Sequence, residues 1–160
     1  MKKLLVTMVA VLAIVSTDVF ADASKSSPLV GAWSVDVSRL PIPAEQRPKS
    51  VTITFKDGAD GKWVTQVRVI AADGKESHAD ALSSLDGAVS PVIGNLEADA
   101  SAVKMPMPNV LVMMLMRQSV PASTRVYAVS ADGQSMIETA CYFDKQGNPV
   151  MRTNYFKRIK

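Results

Sequence analysis

Five of the chain's nine methionines fall within KMPMPNVLVMMLMRQ, Lys104 to Gln118. Thioethers are soft donors suited to Cu(I), and Met105 and Met107 stand two residues apart. On a strand that spacing puts both on one face, roughly 6.5 to 7 Å apart along the chain. The stretch holds no histidine or cysteine, however, and methionine is the ordinary filler of irregular apolar space. A Met-based copper site at Met105 and Met107 is therefore the less favoured expectation, with no metal and no cofactor expected otherwise.

Other reactive side chains are few. His78 is the single histidine, and in SHAD it shares a strand face with Asp80, but no nucleophile accompanies the pair. There is no Gly-x-Ser-x-Gly elbow, no Walker loop and no His-Glu-x-x-His. Cys141 is the single cysteine and cannot form an internal disulfide. Grouped with Ile137, Thr139 and Phe143, it is expected to face the core as a small apolar residue. No catalytic residue is expected, and the chain reads as a non-enzyme.

The elements that would carry these residues are strands. WSVDVS sets Trp33, Val35 and Val37 against Ser34, Asp36 and Ser38, while VTITFK sets Val51, Ile53 and Phe55 against Thr52, Thr54 and Lys56. Period-two alternation describes strands wetted on one face. Further candidates span residues 62–71, 75–83, 110–118, 124–130, 135–143 and 150–159, with a weaker one over 98–105. Five of the eight glycines follow aspartate, a pairing suited to tight hairpin turns. The pattern predicts an all-β antiparallel meander of about eight to nine strands, closed into a barrel to hide its edges. Residues 38–50 carry three prolines and cannot be an interior strand. Two readings of this segment stand: a cover over one barrel end that brings Leu40 and Ile42 inward, or an ordinary surface excursion.

Lys2 and Lys3 precede the apolar run Leu4 to Val15, and small residues follow at Ala21 and Ala23. This is the layout of a secretory signal peptide over residues 1–21, cleaved after Ala21 or Ala23. A short linker over 22–29 and one barrel domain over 30–160 are expected to follow. The protein is thus expected to be exported, to the periplasm or beyond it, with no membrane span. A net charge of +3 over 160 residues is too weak a bias to argue for nucleic acid.

GAWSVDVSR (Gly31 to Arg39), RPKSVTITF, DGAVSPVIGN (Asp86 to Asn95), VSADGQSMIET and DKQGNPVMRTNYFKR together resemble a group of small exported bacterial proteins classed as lipocalin-like, in the same order along the chain. The resemblance implies an up-and-down barrel with an internal cavity. It also implies that Trp33 seals the closed end beneath a basic side chain, Arg158 or Lys157. The Thr-Asp-Tyr signature of true lipocalins and the helix after their barrel are absent. The group supplies a fold and no established activity.

Val110 to Met116 is apolar on both strand faces. One face is expected to line the barrel, and Val112, Met114 and Met116, with Leu40 and Ile42, form the expected ligand-binding set. A small lipophilic ligand burying roughly 250 to 300 Å² would gain about 6 to 7 kcal/mol at ~25 cal/mol per Å². After binding costs, that corresponds to affinities of roughly micromolar or weaker. The alternative is an interaction module using the exposed face of Val110 to Met116, with a homodimer as one form.

Overall fold

The computed structural model describes residues 27–159. The expected signal peptide over 1–21 lies outside the described residues, as does the start of the expected linker. Ten strands follow in order: β1 (Gly31–Val35), β2 (Ser50–Asp57), β3 (Trp63–Ile70), β4 (Glu76–Ser83), β5 (Asp86–Gly94), β6 (Ala100–Met107), β7 (Val110–Arg117), β8 (Val120–Val129), β9 (Ser135–Phe143) and β10 (Pro149–Arg158). Each pairs antiparallel with its neighbour in sequence, and β1 pairs with β10 to close the barrel. Among the described residues the helical pieces are three short 3-10 turns. The all-β antiparallel closed barrel is as expected, but with ten strands in place of eight to nine.

The strand absent from the sequence reading is β5. Its residues, DGAVSPVIG, show no alternation and contain Pro91 between two glycines. Proline lacks an amide donor, so it is tolerated only where no partner needs one. The Val92 amide donates across to Asp99 O on the β6 side. Backbone donors alternate direction along a strand, so the nitrogen of Pro91 points toward β4. There the β4–β5 pairing ends at Val92, and the missing donor costs nothing.

The barrel has two unlike ends. At one, the chain enters through Ser27 to Val30, and the short β2–β3, β4–β5, β6–β7 and β8–β9 connections turn. The β2–β3 turn places Asp60 and Gly61 at φ 55° and 68°, the left-handed conformation that suits Asp-Gly. This end is packed solid. Phe55 lies 5.7 Å from Trp63 and 5.4 Å, edge-on, from Tyr127, which stacks edgewise on Phe156 at 6.3 Å. Leu29, Trp33, Val103, Leu111 and Met136 complete the cluster, all nearly fully buried. Trp33 donates its indole N–H to Leu29 O at 2.8 Å, and Ser27 Oγ donates to Pro108 O at 2.7 Å, so the entering segment plugs the barrel floor.

Arg158 locks that plug. Its guanidinium carbon lies 4.0 Å from the centre of the Trp33 ring. Its nitrogens donate to Val30 O at 2.8 Å and Gly133 O at 2.6 Å, and at 2.5 Å to Pro28 O. Gly31 holds φ at 131°, and a Cβ there would sit 2.5 Å from Arg158 Nη1. A glycine two residues before Trp33 is thus what lets the guanidinium pass.

Candidate functional site

The other end of the barrel is hollow, and the reason is side-chain size. Inward positions at this level include Ala79 and Ala81 on β4, Ser101 on β6 and Ala140 on β9, all small. The ring cannot fill itself, and a cavity of about 360 Å³ results. Its barrel walls include Val35, Val51, Ile53, Val67, Val69, Met113, Leu115 and Phe156. The segment between β1 and β2 folds over it as two 3-10 turns, Val37–Arg39 and Ala44–Gln46, bringing Leu40, Pro41, Ile42 and Pro48 to the cavity. Between the two readings of this proline-rich stretch, the cover is the one the geometry adopts. Leu96, Glu97 and Ala98, from the β5–β6 connection, line it as well.

Within the expected ligand set, Leu40 and Ile42 therefore line the cavity, while Val112, Met114 and Met116 do not. These three lie on the outer face of β7, with Met114 43% exposed, and Met113 and Leu115 face inward at 4% and 9%. Both faces of β7 are apolar, so alternation carries no preference, and partners on the next strands decide. Leu111 and Met113 stand opposite Tyr127 and Arg125 of β8, which face inward themselves. Cys141 likewise lies on the outer face of β9, with Ile137, Thr139 and Phe143, because Met136, Glu138 and Ala140 point in. Met105 packs against the core whereas Met107 is exposed, and a register irregularity between Lys104 and Met107 separates them. Among the described residues no group of three or more His, Cys, Asp or Glu is placed to hold a metal.

His78 is exposed on the outer face of β4. Asp80 on the same face accepts from Arg68 Nη2 and Gln66 Nε2, each at 3.0 Å. Burial would raise the Asp80 carboxyl, but these donors outweigh it and hold it below the usual carboxylate range. That is a cross-strand ion-pair network on a wetted sheet face.

The residues the alternation pattern missed are polar ones inside the barrel. Glu138 is 2% exposed. Its Oε1 accepts from Arg125 Nη1 at 2.7 Å and from Tyr127 Oη at 2.9 Å, and its Oε2 from Asn154 Nδ2 at 2.5 Å. Arg125 also pairs with Glu97. Burial opposes the charge of Arg125, but Tyr127, Glu138 and Glu97 outweigh it and raise its pKa further. Burial first, then the charge of Glu138, pushes the Tyr127 phenol well above its ordinary value. Asn154, Arg152, Thr65 and Ser101 also line the cavity, and each has a buried polar atom with no partner among the described residues: Oδ1, Nε, Oγ1 and Oγ. Apolarity alone selects the wrong face of β9, because Ile137, Thr139, Cys141 and Phe143 outscore Met136, Glu138 and Ala140. The available signal was register: meander pairing sets Glu138 beside Asn154 and Tyr127, groups that can satisfy a buried carboxylate.

What the arrangement offers is a lined container, apolar over most of its wall, with one charged corner and a cover. No helix among the described residues is long and apolar enough to cross a membrane. No family model matches the chain, and neither the curated proteins nor the solved structures contain one similar to it at the significance required.

Proposed function

We propose that the protein is an exported, lipocalin-like binder that holds a small, largely apolar molecule inside the barrel. The observation that carries this reading is the cavity of about 360 Å³, walled mainly by aliphatic side chains and covered by Leu40 and Ile42. Ligand pockets typically measure about 300 to 1,000 Å³ and combine an apolar lining with a few placed polar groups. Export rests on the layout of residues 1–21, and the lipocalin-like relation on the motifs from Gly31 to Arg158.

The test compares two neighbouring methionines. Met113→Glu puts a carboxylate into the cavity, whereas Met114→Glu puts it on the outer surface. An environment-sensitive fatty-acid probe should lose at least about tenfold in affinity with the first, since a further carboxylate in the cavity replaces apolar wall and repels the probe's own, and be unaffected by the second. Circular dichroism checks that both variants fold. Equal binding by folded Met113→Glu would end the proposal. A second reading, a contact surface for a partner or another copy, is favoured by the exposure of Met114. It requires that Met114→Glu change the oligomeric state measured by light scattering.

A further inference from the structure

In-register inward residues of β8, β9 and β10 bring two arginines into one row. Arg152 of β10 pairs in register with Ala140 of β9, and Ala140 pairs on its other side with Arg125 of β8. Two arginines thus flank one buried methyl group, and both line the cavity. Their circumstances differ. Arg125 has two carboxylates, Glu138 at 2.7 Å and Glu97. Both oxygens of Glu138 are already engaged, by Arg125, Tyr127 and Asn154. Arg152 forms no ion pair among the described residues, and its Nε is buried without a partner. The acids of the cavity, Glu97 and Glu138, both serve the other arginine.

The guanidinium of Arg152 is a donor with five N–H groups and no acceptor, and its buried Nε finds no acceptor among the described residues of the barrel. An anion in the cavity would complete it, and a planar guanidinium fork matches a carboxylate in bidentate geometry. An inorganic anion would leave the valine, leucine and methionine wall uncovered. A purely apolar molecule would desolvate Arg152 and give it no acceptor. We infer that the cavity takes an amphiphile with a single anionic head, a carboxylate on an apolar chain, with its head at Arg152. This rests on the reading of the barrel as a container and specifies what the container selects.

The experiment uses two ligands of equal chain length, dodecanoate and dodecanol, titrated calorimetrically at neutral pH below micelle-forming concentrations. The wild-type protein should bind dodecanoate at least about tenfold more tightly, the scale of a charge-assisted hydrogen-bonded pair. In Arg152→Met the preference should fall below about threefold while dodecanol binding persists, which also shows that the variant retains its cavity. Equal affinities in the wild type would overturn the head-group assignment and leave the container reading standing, and this comparison needs no variant. A preference undiminished in folded Arg152→Met would also overturn the assignment, by moving the head elsewhere. Failure of both ligands to bind the wild type would remove the container reading, and this inference with it.

Discussion

Glu138 shows how a charge is kept inside an apolar barrel. A lone buried carboxylate would be prohibitive, but three donors on the adjoining strands β8 and β10 reach its two oxygens. Tyr127 is the member of this cluster whose chemistry is easiest to follow with pH. Its phenol is fully buried and its pKa is raised above the ordinary value of 10.0. The folded chain therefore holds this proton where the unfolded chain releases it. The corresponding stability is complete below about pH 10 and is lost as pH rises toward the folded value. Melting temperatures should fall above about pH 10 in the wild type and fall less steeply in Tyr127→Phe. The variant starts about 1 kcal/mol less stable at neutral pH, having lost its hydrogen bond to Glu138. Parallel curves through the alkaline range would show that Tyr127 does not govern this loss.

Among elements, the segment between β1 and β2 matters most to the cavity. Its prolines forbid a strand, and Leu40 and Ile42 give it something to bury, so it lies across the opening. Both side chains are half-buried, so truncating them to alanine removes part of their contact area, on the order of 1 to 2 kcal/mol in all. The double variant Leu40→Ala with Ile42→Ala should release a bound fatty-acid probe about tenfold faster in stopped-flow displacement, with little change in the association rate. An unchanged dissociation rate would mean the segment is not a cover in solution. Strand legibility follows the same physics. β1, β2 and most others were readable because one face is wet and polar. β5 was not, because its proline sits where no donor is needed and its glycines erase alternation. β7 was readable as a strand but not as to facing, since both sides are apolar. The inward charges are not legible in the sequence, because pairing is what makes them tolerable there, and pairing is a property of register between strands rather than of spacing within one.

The whole molecule depends on a closure between distant parts of the chain. β1 meets β10 through three register pairs, Trp33 with Arg158, Ser34 with Lys157 and Val35 with Phe156, and the order of all other strands is sequential. Non-local pairing must pay loop-closure entropy before it is rewarded, so folding in roughly milliseconds to seconds is expected. Deleting residues 149–160 would leave β1 and β9 as bare edges and remove Arg158 and Phe156 from the packed floor. The shortened chain should lose cooperative urea unfolding and elute as aggregates in size-exclusion chromatography. A monomeric, cooperatively unfolding product would show that the open sheet is stable by itself.

The hydrogen bonds from Arg158 to the carbonyls of Pro28 and Val30 have a consequence for orientation. They hold the first and last described residues beneath the sealed floor, on the far side of the barrel from Leu40 and Ile42. A tether fixed at Ser27 or at Ile159 would therefore pull from the side opposite the mouth.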